Sequence, residues 1–206
     1  MKKVDTNKVT GVIFAGNNGF SYDDVFMPKS LLEVNGRTLL EYTVENMSEL
    51  KLPEIYVFCD DNEINEIKYH NILARYENAK LIVCDSYDST LTVVQNFIGL
   101  FSEYILFLYG NSPNSAKYLD SLMTSEMTVS CYDESTKKNK IRVNGKFLEP
   151  PYFIKRSLIY DSPAITWLTF FTMNKDKIKF VKDDGPCEFN SKEEFMVYKN
   201  YIREKF

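Results

Sequence analysis

The chain has 206 residues and a formal net charge of −4, with 25 Lys and Arg against 29 Asp and Glu. Its length favours one compact domain over residues 1–206, and a composition of 44% hydrophobic and 26% charged residues argues against disorder. The acidic balance argues against a protein that binds nucleic acid through a basic face. It leaves room for a small phosphorylated ligand, which a few backbone N–H groups can hold.

The four cysteines and the single histidine do not have the spacing of a metal site. No two cysteines form a C-x-x-C pair, and His70 is the one histidine of the chain, so a structural zinc site lacks its ligands. We expect free thiols, and we expect His70 near the exposed end of a helix. No run approaches the roughly 20 apolar residues of a membrane span, so the sequence predicts a cytoplasmic protein without a membrane segment.

Apolar runs alternate with amphipathic stretches along the first half of the chain. The runs typical of buried strands are Val9–Ala15, Glu54–Cys59, Leu81–Cys84 and Tyr104–Tyr109. Helices are predicted over Thr38–Leu50, after a capping Asp60, and over Ser89–Phe101. Strands that are apolar on both faces and alternate with helices indicate a mainly parallel sheet covered on both sides. The predicted fold class is therefore α/β, with three layers in the order α/β/α.

The second half of the chain has a less regular pattern. A strand is predicted over Met127–Tyr132, and a hairpin joins Lys140–Val143 to Lys146–Leu148 through Asn144-Gly145, a favoured two-residue turn. The run Thr166–Thr172 is apolar and β-prone. The last helix is predicted over Ser191–Lys205, with Ser191 and Glu194 at capping-box spacing.

Two loops follow predicted parallel strands and are the candidates for a ligand site. They are Gly16–Pro28 and Gly110–Pro113, and ligands of such sheets bind at the carboxyl ends of the strands. Glycines let the backbone approach a flat or phosphorylated group, and Lys29 offers a point charge to phosphate oxygens. On these residues alone a phosphate site and an ordinary glycine turn beside a surface lysine both stay open.

The spacing of these residues resembles a known signature over about thirty positions. The matching residues are Ala15, Gly16, Gly19, Pro28, Lys29, Leu32, Val34, Gly36, Arg37, Leu39, Leu40 and Tyr42. They resemble the opening signature of the nucleotidyltransferase superfamily with a GT-A-like fold, which includes sugar-phosphate nucleotidyltransferases and cytidylyltransferases. The resemblance implies a nucleotide-diphospho-sugar transferase-like fold. It also implies transfer of a nucleotidyl group from an NTP to a small phosphorylated acceptor, with release of pyrophosphate.

The same resemblance assigns roles to individual residues. Lys29 falls at the phosphate-contacting, catalytic lysine. Asn111 and Glu188 fall at the metal ligands, which implies Mg²⁺ as the cofactor if the protein is active. Nucleotide-binding positions are Ala15, Gly16, Asn17, Gly19, Ser89 and Thr90.

Four departures from the signature, one of them Asn17 in place of its third glycine, support a second hypothesis. The signature arginine falls at Ser21, the metal-binding aspartate is Asn111, and the late acidic ligand is Glu188 instead of aspartate. Nucleotidyl transfer depends on positioning and charge neutralisation, which these replacements weaken. The alternative is a catalytically inactive protein that acts by binding or regulation and has a protein partner. Such a protein would resemble the nucleotidyltransferase-like domain of translation initiation exchange-factor subunits.

Overall fold

The computed structural model describes residues 3–16, 19–22, 25–84, 89–132, 141–183, 189 and 191–206, and for residues 19–22, 25 and 26 it describes backbone only. The predictions for Asn17 and Glu188 lie outside these ranges. Within them the strands are β1 (Val9–Phe14), β2 (Gly19–Tyr22), β3 (Val25–Pro28), β4 (Glu33–Val34), β5 (Arg37–Thr38), β6 (Glu54–Asp60), β7 (Ala79–Cys84), β8 (Tyr104–Tyr109), β9 (Met127–Tyr132), β10 (Ile141–Val143), β11 (Lys146–Lys155) and β12 (Lys179–Lys182). The α-helices are α1 (Leu39–Ser48), α2 (Glu63–Leu73), α3 (Thr90–Asn96), α4 (Ala116–Leu122), α5 (Arg156–Tyr160), α6 (Trp167–Met173) and α7 (Lys192–Lys205).

One large sheet organises the described residues. Its strand order is β12-β9-β11-β8-β1-β6-β7, with β10 paired to β11. Strands β8, β1, β6 and β7 are parallel, and Phe14 of β1 lies opposite Phe58 of β6 and Tyr109 of β8. Strand β11 runs antiparallel to both β8 and β9. The predicted mainly parallel sheet is therefore confirmed, and the carboxyl ends of β6, β1 and β8 lie side by side at one edge.

Helices cover both faces of this sheet, which confirms the three-layer α/β/α architecture. On one face, buried residues of α1, α2 and α4 pack with those of β1 and β6. On the other face, buried residues of α3, α5 and α6 form a second cluster, to which α6 contributes Trp167, Phe170 and Phe171. Strand β1 serves both layers, because Ile13 packs in the first cluster and Val12 in the second. Helix α7 forms a third cluster with Leu32 and Val34 of the segment after β3.

The prediction of a β-prone run at Thr166–Thr172 is wrong. Trp167–Met173 is helix α6, and the Thr166 side chain accepts the N–H of Thr169 at its start. The buried residues are Trp167, Phe170 and Phe171, a helical spacing that places all three on the sheet. Packing of one aromatic face thus overrides the β preference of the individual residues.

Several elements also begin or end at residues other than the predicted ones. The polar loop predicted over Gly16–Pro28 contains a hairpin, in which Gly19 of β2 pairs with Pro28 of β3. Asp60 ends β6, and Asn62 caps α2 instead. Helix α3 ends at Asn96, and a short 3₁₀ turn over Ile98–Leu100 follows it.

Other local predictions are confirmed. Asn144 and Gly145 have φ values of 51° and 77°, as the turn between β10 and β11 requires. The Ser191 side chain accepts the N–H of Glu194 at the start of α7. His70 is exposed near the end of α2, as predicted.

Candidate functional site

The ends of β1 and β8 meet at the carboxyl edge of the sheet. The Ala15 N–H donates to the carbonyl of Phe58 at 2.8 Å, and the Gly110 N–H donates to the carbonyl of Phe14 at 2.8 Å. A Cβ on Gly110 would lie 3.1 Å from Cβ of Ser30 and 3.2 Å from Cα of Ala15. The loops after both strands and the Lys29-Ser30 segment are therefore in direct contact at this edge.

Two side-chain hydroxyls hold the carbonyl oxygen of Ala15. The Ser30 hydroxyl donates to it at 2.5 Å, and the Tyr69 hydroxyl donates to it at 2.9 Å. The two hydroxyl oxygens are 3.1 Å apart. Both residues are buried, and burial raises the pKa of the Tyr69 phenol, so the phenol keeps its proton and acts as a donor.

Lys29 begins a buried 3₁₀ turn over Lys29–Leu31, directly after the hairpin of β2 and β3. The residue is 5% exposed, and its Nζ lies 5.3 Å from the ring centroid of Phe189. An ammonium group over an aromatic face is attracted by the negative potential of the ring.

Asn111 is joined to the same region through the C-terminal helix. Its backbone carbonyl accepts the Tyr198 hydroxyl at 2.9 Å, and the Tyr198 ring lies 5.1 Å from that of Phe189. Burial raises the pKa of Tyr198 well above its ordinary value, so this phenol also remains a donor. Lys29, Phe189, Tyr198 and Asn111 thus form a continuous set of contacts, and the structure places Lys29 and Asn111 at the same edge.

Ser89 and Thr90 lie at the start of α3, where their hydroxyls contact other parts of the protein. The Ser89 hydroxyl caps the helix and donates to the carbonyl of Ile165 at 2.5 Å. The Thr90 hydroxyl accepts the indole N–H of Trp167 at 2.8 Å. Both hydroxyls therefore tie α3 to the segment that leads into α6.

Three residues at this edge were missed as site residues in the sequence. Ser30 and Tyr69 hold Ala15, and Asp60 lies against Gly16. A Cβ on Gly16 would come 1.9 Å from Oδ1 of Asp60, and that Oδ1 is buried without a hydrogen-bond partner in the described part of the chain. Position in the chain could have indicated two of them, because Ser30 directly follows Lys29 and Asp60 ends the strand that pairs with β1. Nothing local to Tyr69 indicates its contact with Ala15.

The donor set described near Asn111 does not complete a magnesium site. Mg²⁺ usually binds one or two carboxylates together with substrate phosphates and water. Asn111 offers a neutral amide, while nearby Asn114 donates its side-chain N–H to Asp183 at 3.1 Å. Among the described ranges no three His, Cys, Asp or Glu side chains group as a metal site. Metal binding thus rests on Glu188, outside those ranges, and stays a prediction.

The sheet order, the two helical layers and the glycine loop after β1 define the GT-A-like, nucleotide-diphospho-sugar transferase-like fold. Known structures agree over nearly the whole chain. A nucleotidyl transferase from Methanothermobacter thermautotrophicus matches with a TM-score of 0.74 and 16% identity, covering 97% of this chain and 100% of that one. 4-Diphosphocytidyl-2C-methyl-D-erythritol synthase from Anaerococcus prevotii matches with a TM-score of 0.69 and 17% identity, covering 96% and 97%.

A third similar structure contains a nucleotide. CMP:2-keto-3-deoxy-manno-octonic acid synthetase, determined with CTP, matches with a TM-score of 0.69 and 13% identity, covering 97% of this chain and 100% of that one. The sequence matches no family profile and no curated protein. At these identities the likeness establishes the fold. Separately, none of the helices in the described ranges is both long and apolar enough to cross a membrane.

Proposed function

We propose that this protein is a nucleotidyltransferase that transfers a nucleotidyl group from an NTP to a small phosphorylated acceptor and releases pyrophosphate. The observation that carries the proposal is the convergence of Gly16, Lys29 and Asn111 at the carboxyl edge of neighbouring parallel strands. This edge is where sheets of this kind bind their ligands. Three proteins of the same fold that are named for nucleotidyl chemistry, one of them holding CTP, add support.

In the proposed reaction an acceptor phosphate oxygen attacks the α-phosphorus of the NTP. A new P–O bond forms, the bond from the α-phosphorus to the oxygen bridging it to the β-phosphorus breaks, and that electron pair leaves with pyrophosphate. Lys29 would neutralise phosphate charge, and the backbone of Ala15, Gly16, Asn17 and Gly19 would line the nucleotide. A bound Mg²⁺ would neutralise charge on the phosphates, with Asn111 and Glu188 as its proposed protein ligands.

The base would lie toward the start of α3. Because the hydroxyls of Ser89 and Thr90 bond to Ile165 and Trp167, we propose that backbone groups at these two positions supply the nucleotide contact. The indole N–H of Trp167, the single tryptophan, donates a hydrogen bond to the Thr90 hydroxyl. Its fluorescence therefore offers a probe for ligands that bind beside α3.

Calorimetry with each of the four NTPs, with and without Mg²⁺, tests the proposal. We expect metal-dependent binding of at least one NTP. Pyrophosphate release with a panel of sugar phosphates and phosphocholine then identifies the acceptor. If no NTP binds under either condition, the proposed enzyme function is wrong.

A specific observation favours a second candidate, a protein of this fold that acts by binding a partner. Lys29 is 5% exposed over Phe189, and a neutral amide stands at Asn111 where the signature has a carboxylate, so the described residues present less charge at this edge than the signature would. Binding of an NTP without pyrophosphate release from any acceptor would support this candidate.

A further inference from the structure

We infer that Tyr69 and Ser30 are positioning residues of the nucleotide site, which act by orienting the peptide between Ala15 and Gly16. This inference rests on the proposed nucleotide binding. The Ala15 carbonyl oxygen accepts two hydroxyl hydrogen bonds, from Ser30 at 2.5 Å and from Tyr69 at 2.9 Å. A carbonyl oxygen has two lone pairs, so this acceptor is saturated from the protein interior.

The orientation of this carbonyl determines the orientation of the next N–H. In a trans peptide the C=O and N–H bonds point in opposite directions from one rigid plane. Because the Ala15 carbonyl points toward Ser30 and Tyr69, the Gly16 N–H points away from them. Within the described residues no acceptor bonds to this N–H, although Gly16 is half-buried. An oriented backbone donor without a partner, at the carboxyl edge of a parallel sheet, is suited to a ligand oxygen.

The two hydroxyls come from different elements of the fold. Tyr69 lies in the middle of α2, and it is completely buried with its phenol directed at Ala15. Ser30 immediately follows Lys29, so its bond to Ala15 also sets the distance between the Lys29 backbone and the glycine loop. The Ser30 bond thus connects the peptide that carries the Gly16 N–H to the backbone next to Lys29.

The test compares three variants of the full chain that each lose one hydroxyl. Tyr69→Phe and Ser30→Ala remove one donor to Ala15 each, and the remaining donor keeps the carbonyl paired. Tyr118→Phe is the matched control, since its phenol bonds to the Ser130 hydroxyl at 3.1 Å between α4 and β9. For each variant we would measure the affinity for the NTP that the unaltered protein binds, the urea midpoint, and the ¹⁵N-amide shift of Gly16 with and without that NTP.

We expect Tyr69→Phe and Ser30→Ala each to weaken NTP binding about fivefold, the change that corresponds to one neutral hydrogen bond. Both should also reduce the shift of the Gly16 amide on NTP addition, while Tyr118→Phe lowers the urea midpoint and leaves binding and the amide shift unchanged. The inference is overturned if both variants lower the midpoint as the control does and keep affinity within twofold. Failure of the unaltered protein to bind any NTP overturns the proposed function first, and the inference with it.

Discussion

The carboxylate of Asp60 lies against the α-carbon of Gly16. A Cβ added at Gly16 would come 1.9 Å from Oδ1 of Asp60 and 2.6 Å from its backbone nitrogen. The glycine after β1 is therefore required by a neighbour on the adjacent strand, in addition to any ligand that approaches it. The sequence alone leaves two explanations for the same glycine, the approach of a ligand and an ordinary turn after a strand.

This contact predicts that a methyl group at position 16 lowers the stability of the protein. Gly16→Ala should destabilise the protein by about 1–3 kcal/mol, the usual cost of overpacking, because backbone of Asp60 also lies in the path of the methyl group. Urea unfolding measures the loss. The double variant Gly16→Ala with Asp60→Ala should recover part of it, since the carboxylate is the nearest obstacle. Equal stability of Gly16→Ala and the unaltered protein would contradict the contact.

Removing the charge of Lys29 should weaken nucleotide binding. Lys29→Met keeps an apolar chain beside Phe189 and loses the ammonium group, so NTP affinity should fall on the order of tenfold or more, as for a lost charge-assisted hydrogen bond. Lys205→Met is the matched control, because the Nζ of Lys205 also lies over an aromatic ring, that of Tyr201 at 4.9 Å, on an exposed helix end. Calorimetry gives both affinities. An unchanged affinity in Lys29→Met would show that the lysine does not contact phosphate.

The bond between Trp167 and Thr90 should appear as an energetic coupling between α6 and α3. Trp167→Phe and Thr90→Val each remove one partner of the 2.8 Å hydrogen bond. A double-mutant cycle of unfolding free energies should give a coupling of about 0.5–1.5 kcal/mol, because the second substitution loses nothing further from that bond. Additive effects of the two substitutions would mean that the bond contributes nothing in solution.

Glu41 should make stability depend on pH in the acid range. Burial opposes ionisation of this carboxylate, but hydrogen bonds from Thr38 and the charge of Arg75 outweigh it and lower its pKa. A carboxyl with a lowered folded-state pKa contributes stability above its unfolded pKa of about 4.3 and loses it as the pH falls through the folded-state value. Unfolding free energies measured from pH 7 to pH 3 test this.

The matched comparison for this prediction is Glu41→Gln against Glu126→Gln. Glu126 also has a lowered pKa, from Lys155, but its side chain is 60% exposed, so its pair contributes little. Glu41→Gln should be less stable than the unaltered protein at pH 7, with the difference shrinking below about pH 4. A constant difference across the range would exclude a charge effect at Glu41.

The hydrophobic periodicity of the sequence was sufficient to predict the layer architecture and many of the strands and helices. Strands β1, β6, β8 and β9 lie close to their predicted positions, and Ser191 caps α7 as its spacing with Glu194 predicts. These features depend on hydrophobic period and on hydrogen bonds within a few residues, which any short window of the chain contains. The same holds for the turn at Asn144-Gly145.

The contacts of the candidate site depend on residues that are far apart in the chain. The hydrogen bond from Tyr69 to the Ala15 carbonyl joins residues 54 positions apart in the sequence, and the hydrogen bond from Tyr198 to the Asn111 carbonyl joins residues 87 positions apart. Helix α6 replaces a predicted β-prone run because three aromatic residues can be buried together on the sheet only in helical form.

The sequence by itself therefore determined the alternation of strands and helices, the glycine that follows β1, and the lysine that follows the loop Gly16–Pro28. The tertiary structure decided which side chains surround them: Ser30 and Tyr69 on the Ala15 carbonyl, Asp60 on Gly16, and Phe189 below Lys29. The physical reason is that local pattern specifies backbone conformation, whereas neighbours across a sheet are set by the order in which its strands pair. That order is decided by packing of the whole chain.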